Sequence, residues 1–218
     1  WRQMLGNIFR HGGGVRIDHV AGLFRLWWIP DGNQASDGTY VYYDHEAMVG
    51  VLALEAVLAG VVVVGEDLGT VEDSVREFLE RKGVLGTSIM WFEMDGDVPL
   101  DPSRYRELCM ASVNTHDLPP TAGYLEGVQL QLREDLGLLA RSPEEEREEA
   151  RRQLDTFFTA VADAGYLPRD EDPGEQARIE AIHRYLCDAP SVLINVSLVD
   201  AVGEKRIQNQ PGTSDEYP

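Results

Sequence analysis

Cysteine is scarce in this sequence of 218 residues. Cys109 and Cys187 stand at no metal-ligand spacing and make no disulfide framework, so a reducing cytoplasm is the default compartment. Basic residues are scarce as well. Lys and Arg number 19 against 38 Asp and Glu, a formal net charge of -19. That excess repels phosphate backbones and anionic lipid, which argues for no nucleic acid and no membrane surface among the partners. A neutral substrate meets no such penalty. No run of about 18 apolar residues is present to span a membrane, and the N-terminus has no signal-peptide pattern. Repeats and low-complexity tracts are missing apart from the acidic run Glu144 to Glu149, which reads as a solvated helix face. What remains, 43% hydrophobic and 26% charged, is an ordinary soluble globular composition.

Both ends read as cut. Trp1 to Leu5 looks like the middle of a helix, with Leu5, Ile8 and Phe9 at helical spacing and Gly12-Gly13-Gly14 as the stop. The other end halts on Glu216-Tyr217-Pro218 after a turn-rich segment. The chain is therefore expected to be a fragment of a longer enzyme.

Between these ends the spacing predicts alternating strands and helices. Val15 to Ile17 is a short strand ending on Asp18. The aromatic run Phe24 to Trp28 leads into a loop over Asp31 to Gly38. Asp44 caps a helix carrying Met48, Val51, Leu52 and Leu58 on one side, with Gly60 as its stop. Val61 to Val64 reads as a strand buried on both faces. Thr70 is the expected cap of the next helix, with Val75, Phe78 and Leu79 packing and Gly83 ending it. Thr87 to Phe92, Met110 to Val113 and Ser191 to Val199 are further strands. Residues 122 to 187 are mainly helical, with capping sequences at Ser142-Pro143-Glu144-Glu145 and Asp172-Pro173-Gly174-Glu175. Strands alternating with helices imply parallel βαβ units in an α/β fold. Periodicity leaves half a barrel and an open sheet equally possible; in either, functional groups gather at the C-terminal strand ends.

Three strand ends carry carboxylates: Asp18, Glu66 and Asp117. Breaking a glycosidic bond needs an acid for the leaving oxygen and a carboxylate facing the anomeric carbon. Asp18 suits the nucleophile, because Arg16, two residues away on a strand, shares its face and offers a positive partner. Glu66, at the mouth of an apolar strand, suits the acid/base. Asp117 suits the contact with sugar hydroxyls, with His116 beside it as a donor. Taken singly, each carboxylate also fits a turn or a helix cap, and Trp27 and Trp28 also fit a core. His11, His45 and His183 have no partner visible in the sequence.

Val15-Arg16-Ile17-Asp18-His19, Gly65-Glu66-Asp67-Leu68-Gly69 and Thr115-His116-Asp117 occur in this order, and together they resemble the 4-alpha-glucanotransferase family, also called amylomaltase or disproportionating enzyme, of the α-amylase clan. Phe24-Arg25-Leu26-Trp27-Trp28-Ile29-Pro30 followed by Gly38-Thr39-Tyr40-Val41 resembles the segment after the family's nucleophile strand. Thr121-Ala122-Gly123-Tyr124 resembles the segment after the third carboxylate, where many members have tryptophan instead of Tyr124. Asn209-Gln210-Pro211-Gly212-Thr213 resembles a late substrate-side loop. The resemblance implies a retaining enzyme with Asp18 as nucleophile, Glu66 as acid/base and Asp117 as transition-state stabiliser. It implies sugar contacts from Arg16 and His116, and from His19, Asp67 and Asn209. No metal and no organic cofactor are expected; the substrates implied are α-1,4-glucans or maltooligosaccharides.

The fold implied is a (β/α)8 TIM barrel, of which residues 1–218 form a C-terminal part: about strands four to eight, with the helical stretch at about 122–187 before the last strand. The missing N-terminal part of the parent enzyme is then a necessary partner. Two other readings stay open: an α-glucan hydrolase of the same clan, with water as acceptor, and a non-catalytic glucan-binding fragment. Lacking strands, the isolated chain is expected to be inactive, with activity partly restored when the missing part is added in trans. Glucose release from maltotriose checks this. Turnover by the isolated chain matching a full-length family member would contradict it.

Overall fold

The computed structural model describes residues 1–168, 173–213, 216 and 217. The helices are α1 (Arg2–Phe9), α2 (His45–Ala59), α3 (Asp73–Arg81), α4 (Thr121–Glu126), α5 (Val128–Asp135), α6 (Pro143–Asp163), α7 (Gly174–Leu186) and α8 (Leu198–Ala201). The strands are β1 (Gly14–Ile17), β2 (Arg25–Trp28), β3 (Thr39–Tyr42), β4 (Val62–Gly65), β5 (Gly86–Ile89), β6 (Met94–Asp95), β7 (Val98–Pro99), β8 (Cys109–Ser112) and β9 (Leu193–Asn195). They divide into a first unit, Trp1–Thr87 with Leu108–Met110, and a second, Ser88–Glu107 with Ala111–Pro218. None of the helices among the described residues is long and apolar enough to cross a membrane.

The first unit is built on a parallel pair. β1 lies beside β4, with Val15 opposite Val63 and Ile17 opposite Gly65. Val63 and Val64 are buried as their β-branched run requires, whereas Val62 is 43% exposed and departs from the expected two-sided burial. The register brings Gly65 against Val20 so closely that a Cβ there would lie 3.0 Å from two of its methyl carbons. α1 and α2 contribute Leu5, Phe9, Val49, Leu52 and Ala56 to the same core. Asp44 caps α2 by accepting the Ala47 amide at 3.0 Å, and Gly60 ends it in the left-handed region. Leu58, expected on the packed side, is exposed, because Val49, Leu52 and Ala56 define a buried stripe that it misses.

One expectation in this unit is corrected. Thr70 is not a helix cap: Gly69 adopts a positive φ and the Val71 amide bonds to the Gly69 carbonyl, so the chain is still turning there and α3 begins at Asp73. The aromatic run is a strand, β2, paired antiparallel with β3, Trp28 opposite Thr39. Gly38 closes up to this ribbon; a Cβ there would fall 2.3 Å from Trp27 Nε1.

β5, β8 and β9 follow one another in a sheet. β5 ends earlier than its apolar run suggests and continues as a 3-10 turn over Met90–Phe92. β6 and β7 form a small antiparallel ribbon, with no expectation set for it. Ser142 caps α6 reciprocally with Glu145, and Phe157 and Val161 supply its buried face. α7 begins at Gly174; the cap read at Asp172 lies outside the described residues. The strand expected over Ser191 to Val199 is shorter. β9 stops at Asn195, and Leu198–Ala201 is a turn of helix that leaves Leu198 78% exposed and brings Asp200 to 1%. Burial of that carboxylate against polar partners outweighs strand propensity in the apolar run.

α4 meets the chain after α8 at Gly123, where a Cβ would stand 2.3 Å from the Lys205 carbonyl oxygen. That neighbour is backbone and cannot rotate away. Gly123→Ala is therefore expected to destabilise the protein by about 1–3 kcal/mol through overpacking, seen as a lower urea midpoint. An unchanged midpoint would mean that the Lys205 segment moves freely.

Candidate active site

The strand-end carboxylates and their neighbours fall into two groups, one in each unit. Arg16, Asp18, His19, Glu66 and Asp67 belong to the first, and His116, Asp117 and Asn209 to the second.

In the first group β1 delivers Asp18 and β4 delivers Glu66. The parallel pairing continues past both strands, since the Glu66 amide donates to the Ile17 carbonyl at 2.8 Å and the Val20 amide to the Glu66 carbonyl at 3.0 Å. Arg16 Nη1 reaches Asp18 Oδ1 at 2.6 Å. Glu66 is 6% exposed, and each carboxylate oxygen takes one backbone amide: His19 N–H to Oε2 at 2.8 Å and Leu68 N–H to Oε1 at 2.7 Å. The His19 amide can point there because its backbone is left-handed, φ 48°, the one non-glycine residue with positive φ among the described residues. Histidine is among the side chains that tolerate this conformation best. The ring bridges the two carboxylates, Nδ1 3.3 Å from Glu66 Oε2 and Nε2 3.6 Å from Asp18 Oδ2.

Asp18, His19 and Glu66 are the one trio among the described residues with the proximity to share a cation, each offering a ligand atom within 4.8 Å of the others. Arg16 on Asp18 and the two amides on Glu66 already bring positive charge to that place. Asp67, 3% exposed, turns inward: Oδ1 accepts the Thr87 amide at 2.9 Å, and Arg76 Nε lies 3.5 Å from Oδ2. Beside His19 opens a cavity of about 590 Å³ walled by Phe24, Trp27, Tyr40, Tyr42, His45 and Phe78. His45, without a visible partner in the sequence, stacks on Phe24 at 4.7 Å.

In the second group Asn209 Nδ2 donates to Asp117 Oδ1, and His116 Nε2 stands 3.2 Å from the same oxygen. The Asp117 amide donates to Thr115 Oγ1 at 3.2 Å, closing the turn that presents the carboxylate. Asp117 opens on a cavity of about 540 Å³ that Tyr124 and Gln210 also line.

Behind this turn is a buried network the sequence reading missed. Asp200 Oδ1 accepts the Thr121 amide at 2.6 Å; Oδ2 accepts the Thr121 hydroxyl at 2.9 Å and Asn114 Nδ2 at 2.9 Å, with His183 Nε2 3.3 Å away. His183 Nδ1 faces the Ile179 carbonyl at 2.8 Å. Burial works against charge on Asp200, but His183 and the Thr121 donors prevail and hold its carboxyl below the ordinary value. Burial likewise opposes charge on His183, and Asp200 with the Ile179 carbonyl outweighs it, raising the imidazole above its ordinary value. The signal available in the sequence was the aspartate within Leu198-Val199-Asp200-Ala201-Val202, since a carboxylate in an apolar run is buried only when paired.

The family profile described as 4-alpha-glucanotransferase matches residues 1–218. The 4-alpha-glucanotransferase of Mycobacterium tuberculosis (strain ATCC 25618 / H37Rv) is 54% identical over all of this chain, which covers 31% of that protein. The 4-alpha-glucanotransferase of Haemophilus influenzae is 34% identical over 99% of this chain, covering 32% of that protein. The amylomaltase of Corynebacterium glutamicum superposes with a TM-score of 0.94 at 46% identity, over 100% of this chain and 32% of that one. The chain thus spans about a third of the length of the relatives it matches.

The Asp200–His183 pair makes stability depend on pH. The lowered carboxyl contributes stability above the unfolded aspartate value of about 3.9 and loses it as pH falls through the folded value. The raised imidazole contributes below the unfolded histidine value of about 6.5 and loses it as pH rises through the folded value. Both contributions coexist from about pH 4 to 6.5. His183→Gln is expected to lower the urea midpoint more at about pH 5.5 than at about pH 8.5. An equal loss at both would mean that the imidazole stays uncharged in the folded protein.

Proposed function

Because the chain belongs to the 4-alpha-glucanotransferase family, we propose that it supplies the catalytic carboxylates of a retaining transferase that moves a segment of an α-1,4-glucan to a hydroxyl of another glucan or of glucose. The observation that carries this reading is the spacing of Asp18 and Glu66, with carboxylate oxygens within 4.8 Å of each other. Retaining glycosidases hold their two carboxyl groups about 5–5.5 Å apart, whereas inverting ones leave room for a water at about 6.5–9.5 Å.

In the proposed reaction Glu66 gives its proton to the glycosidic oxygen as Asp18 attacks the anomeric carbon. The C–O bond to the leaving glucan breaks, and a glycosyl ester forms on Asp18. Glu66, now a carboxylate, takes the proton of the acceptor hydroxyl; that oxygen attacks the anomeric carbon and releases Asp18. The amides on Glu66 occupy one lone pair of each oxygen and leave a second on each for proton transfer. Arg16 holds the nucleophile in place, and His19, between the two carboxylates, meets the sugar. Asp117, held by Asn209 and His116, stabilises the oxocarbenium-like ring through its hydroxyls. Asp67, with its carboxylate engaged by Thr87 and Arg76, serves from behind by fixing the end of β4. No step requires a metal or an organic cofactor.

At the level of the fold, β1, β4, β5, β8 and β9 are assigned to strands four to eight of a (β/α)8 barrel, with α4 to α7 between the last two. Residues 1–218 are then a C-terminal part of one catalytic domain, acting in the cytoplasm on maltooligosaccharides with the remainder of the enzyme.

In the enzyme that contains this chain, Asp18→Asn is expected to lower transfer roughly a thousandfold or more. A fluorinated glucosyl donor should leave its ester on Asp18. Glu66→Gln should slow maltotriose far more than a glucosyl fluoride, whose leaving group needs little protonation. An ester on Glu66 or Asp117, or equal loss on both substrates, would reverse the assignment. Only shorter sugars from maltotriose would identify a hydrolase.

A further inference from the structure

We infer that Asp200 is a positioning residue for Asp117, setting the third carboxylate of the site without touching substrate; the inference rests on the role proposed for Asp117. The eight residues between β8 and α4, numbers 113–120, carry His116 and Asp117. Asp200 holds both ends of that loop. At one end it accepts Asn114 Nδ2, at 3.1 Å to Oδ1 and 2.9 Å to Oδ2. At the other it accepts the amide of Thr121 at 2.6 Å and its hydroxyl at 2.9 Å. Asn114 is held again through its carbonyl, which accepts the Ser112 hydroxyl at 2.8 Å, and Asn195 Nδ2 donates to that hydroxyl oxygen at 3.2 Å.

A carboxylate that is 1% exposed is too much for capping one short helix. Burying a charge costs several kcal/mol unless it is fully paired, and a neutral serine or asparagine caps a helix as well. What the charge adds is capacity: one oxygen, Oδ2, accepts the Asn114 amide and the Thr121 hydroxyl and stands 3.3 Å from His183 Nε2 as an ion-pair partner. The second strap on Asp117 comes from the same region, because nine residues beyond Asp200 the chain supplies Asn209, whose amide donates to Asp117 Oδ1. In between, Lys205 passes within contact distance of Gly123 in α4. Asp200 therefore ties the loop that carries Asp117 to the segment that steadies it.

Asp200→Asn keeps the shape and one acceptor oxygen, and replaces the other by an NH2 group that donates and cannot accept from either Asn114 or Thr121. The full enzyme is compared as native, Asp117→Asn, Asp200→Asn and the double variant, by glucose release from maltotriose, with near-ultraviolet circular dichroism to follow the fold. Asp200→Asn is expected to lower kcat about tenfold to a hundredfold, the cost of a misplacement near 1 Å, with KM within about threefold. On the Asp117→Asn background it should lower kcat no more than about threefold further, since residues acting as one unit are not additive. Losses that multiply, or a kcat for Asp200→Asn within about twofold of native, overturn the inference. Asp117→Asn as active as native overturns the function assigned to Asp117 and this inference with it; loss at Asp117 beside an unaffected Asp200→Asn overturns this inference alone. If Asp200→Asn does not fold, Thr121→Val, which replaces the hydroxyl by a methyl group, enters the same cycle: it is expected to lower kcat about threefold in the native enzyme and not measurably on the Asp117→Asn background, and an equal threefold loss on both overturns the inference.

Discussion

A carboxylate buried to 6% exposure governs the first unit, because Glu66 cannot remain there unless its oxygens are met. They are met by backbone, from His19 on one side and Leu68 on the other. Leaving such a group unpaired would cost several kcal/mol, so the chain on either side is held where its amides point. One consequence is the left-handed backbone of His19, a conformation that costs on the order of 1–3 kcal/mol in a residue other than glycine. A second is that Asp18, one residue earlier, is delivered beside Glu66 at the spacing a covalent glycosyl mechanism needs. Packing supports the same arrangement from below, since the tight approach of Gly65 to Val20 lets the two strand ends lie together.

The second unit repeats this logic with a different residue. Asp200 gathers the amide and hydroxyl of Thr121, the carboxamide of Asn114 and the imidazole of His183, three residues from the two ends of one loop and from α7. In both units a buried carboxyl group recruits backbone and fixes the turn that carries the more exposed side chains. The carboxylates proposed to meet sugar, Asp18 and Asp117, are the more accessible ones, with side chains 43% and 32% exposed. Glu66, the group proposed to move the proton, combines the two roles, since it is itself buried and recruits backbone.

The features legible in the sequence were those written in local chemistry. Asp44 and Gly60 bracket α2, and Ser142 with Glu145 opens α6, because caps depend on neighbours three residues away. The cores of five strands were legible as apolar runs, and the carboxylates at their ends as candidates. The β2–β3 ribbon was not, since a long polar loop separates its strands and aromatic side chains hide the alternation. Thr70 misled because the positive φ of Gly69 keeps the chain turning past it. Asp200 was invisible for a different reason: its partners Thr121 and Asn114 lie 79 and 86 residues away, and only the fold brings them together. Asp67 read as a sugar neighbour by motif, yet its carboxylate faces Thr87 and Arg76.

Asp18 and Glu66 are proposed to work as a retaining pair. Nuclear magnetic resonance of the linkages newly formed as the full enzyme disproportionates maltotriose tests it most directly. Every new linkage is expected to be α, because two displacements at the anomeric carbon restore its configuration. New β linkages would mean a single displacement and would contradict a glycosyl ester on Asp18.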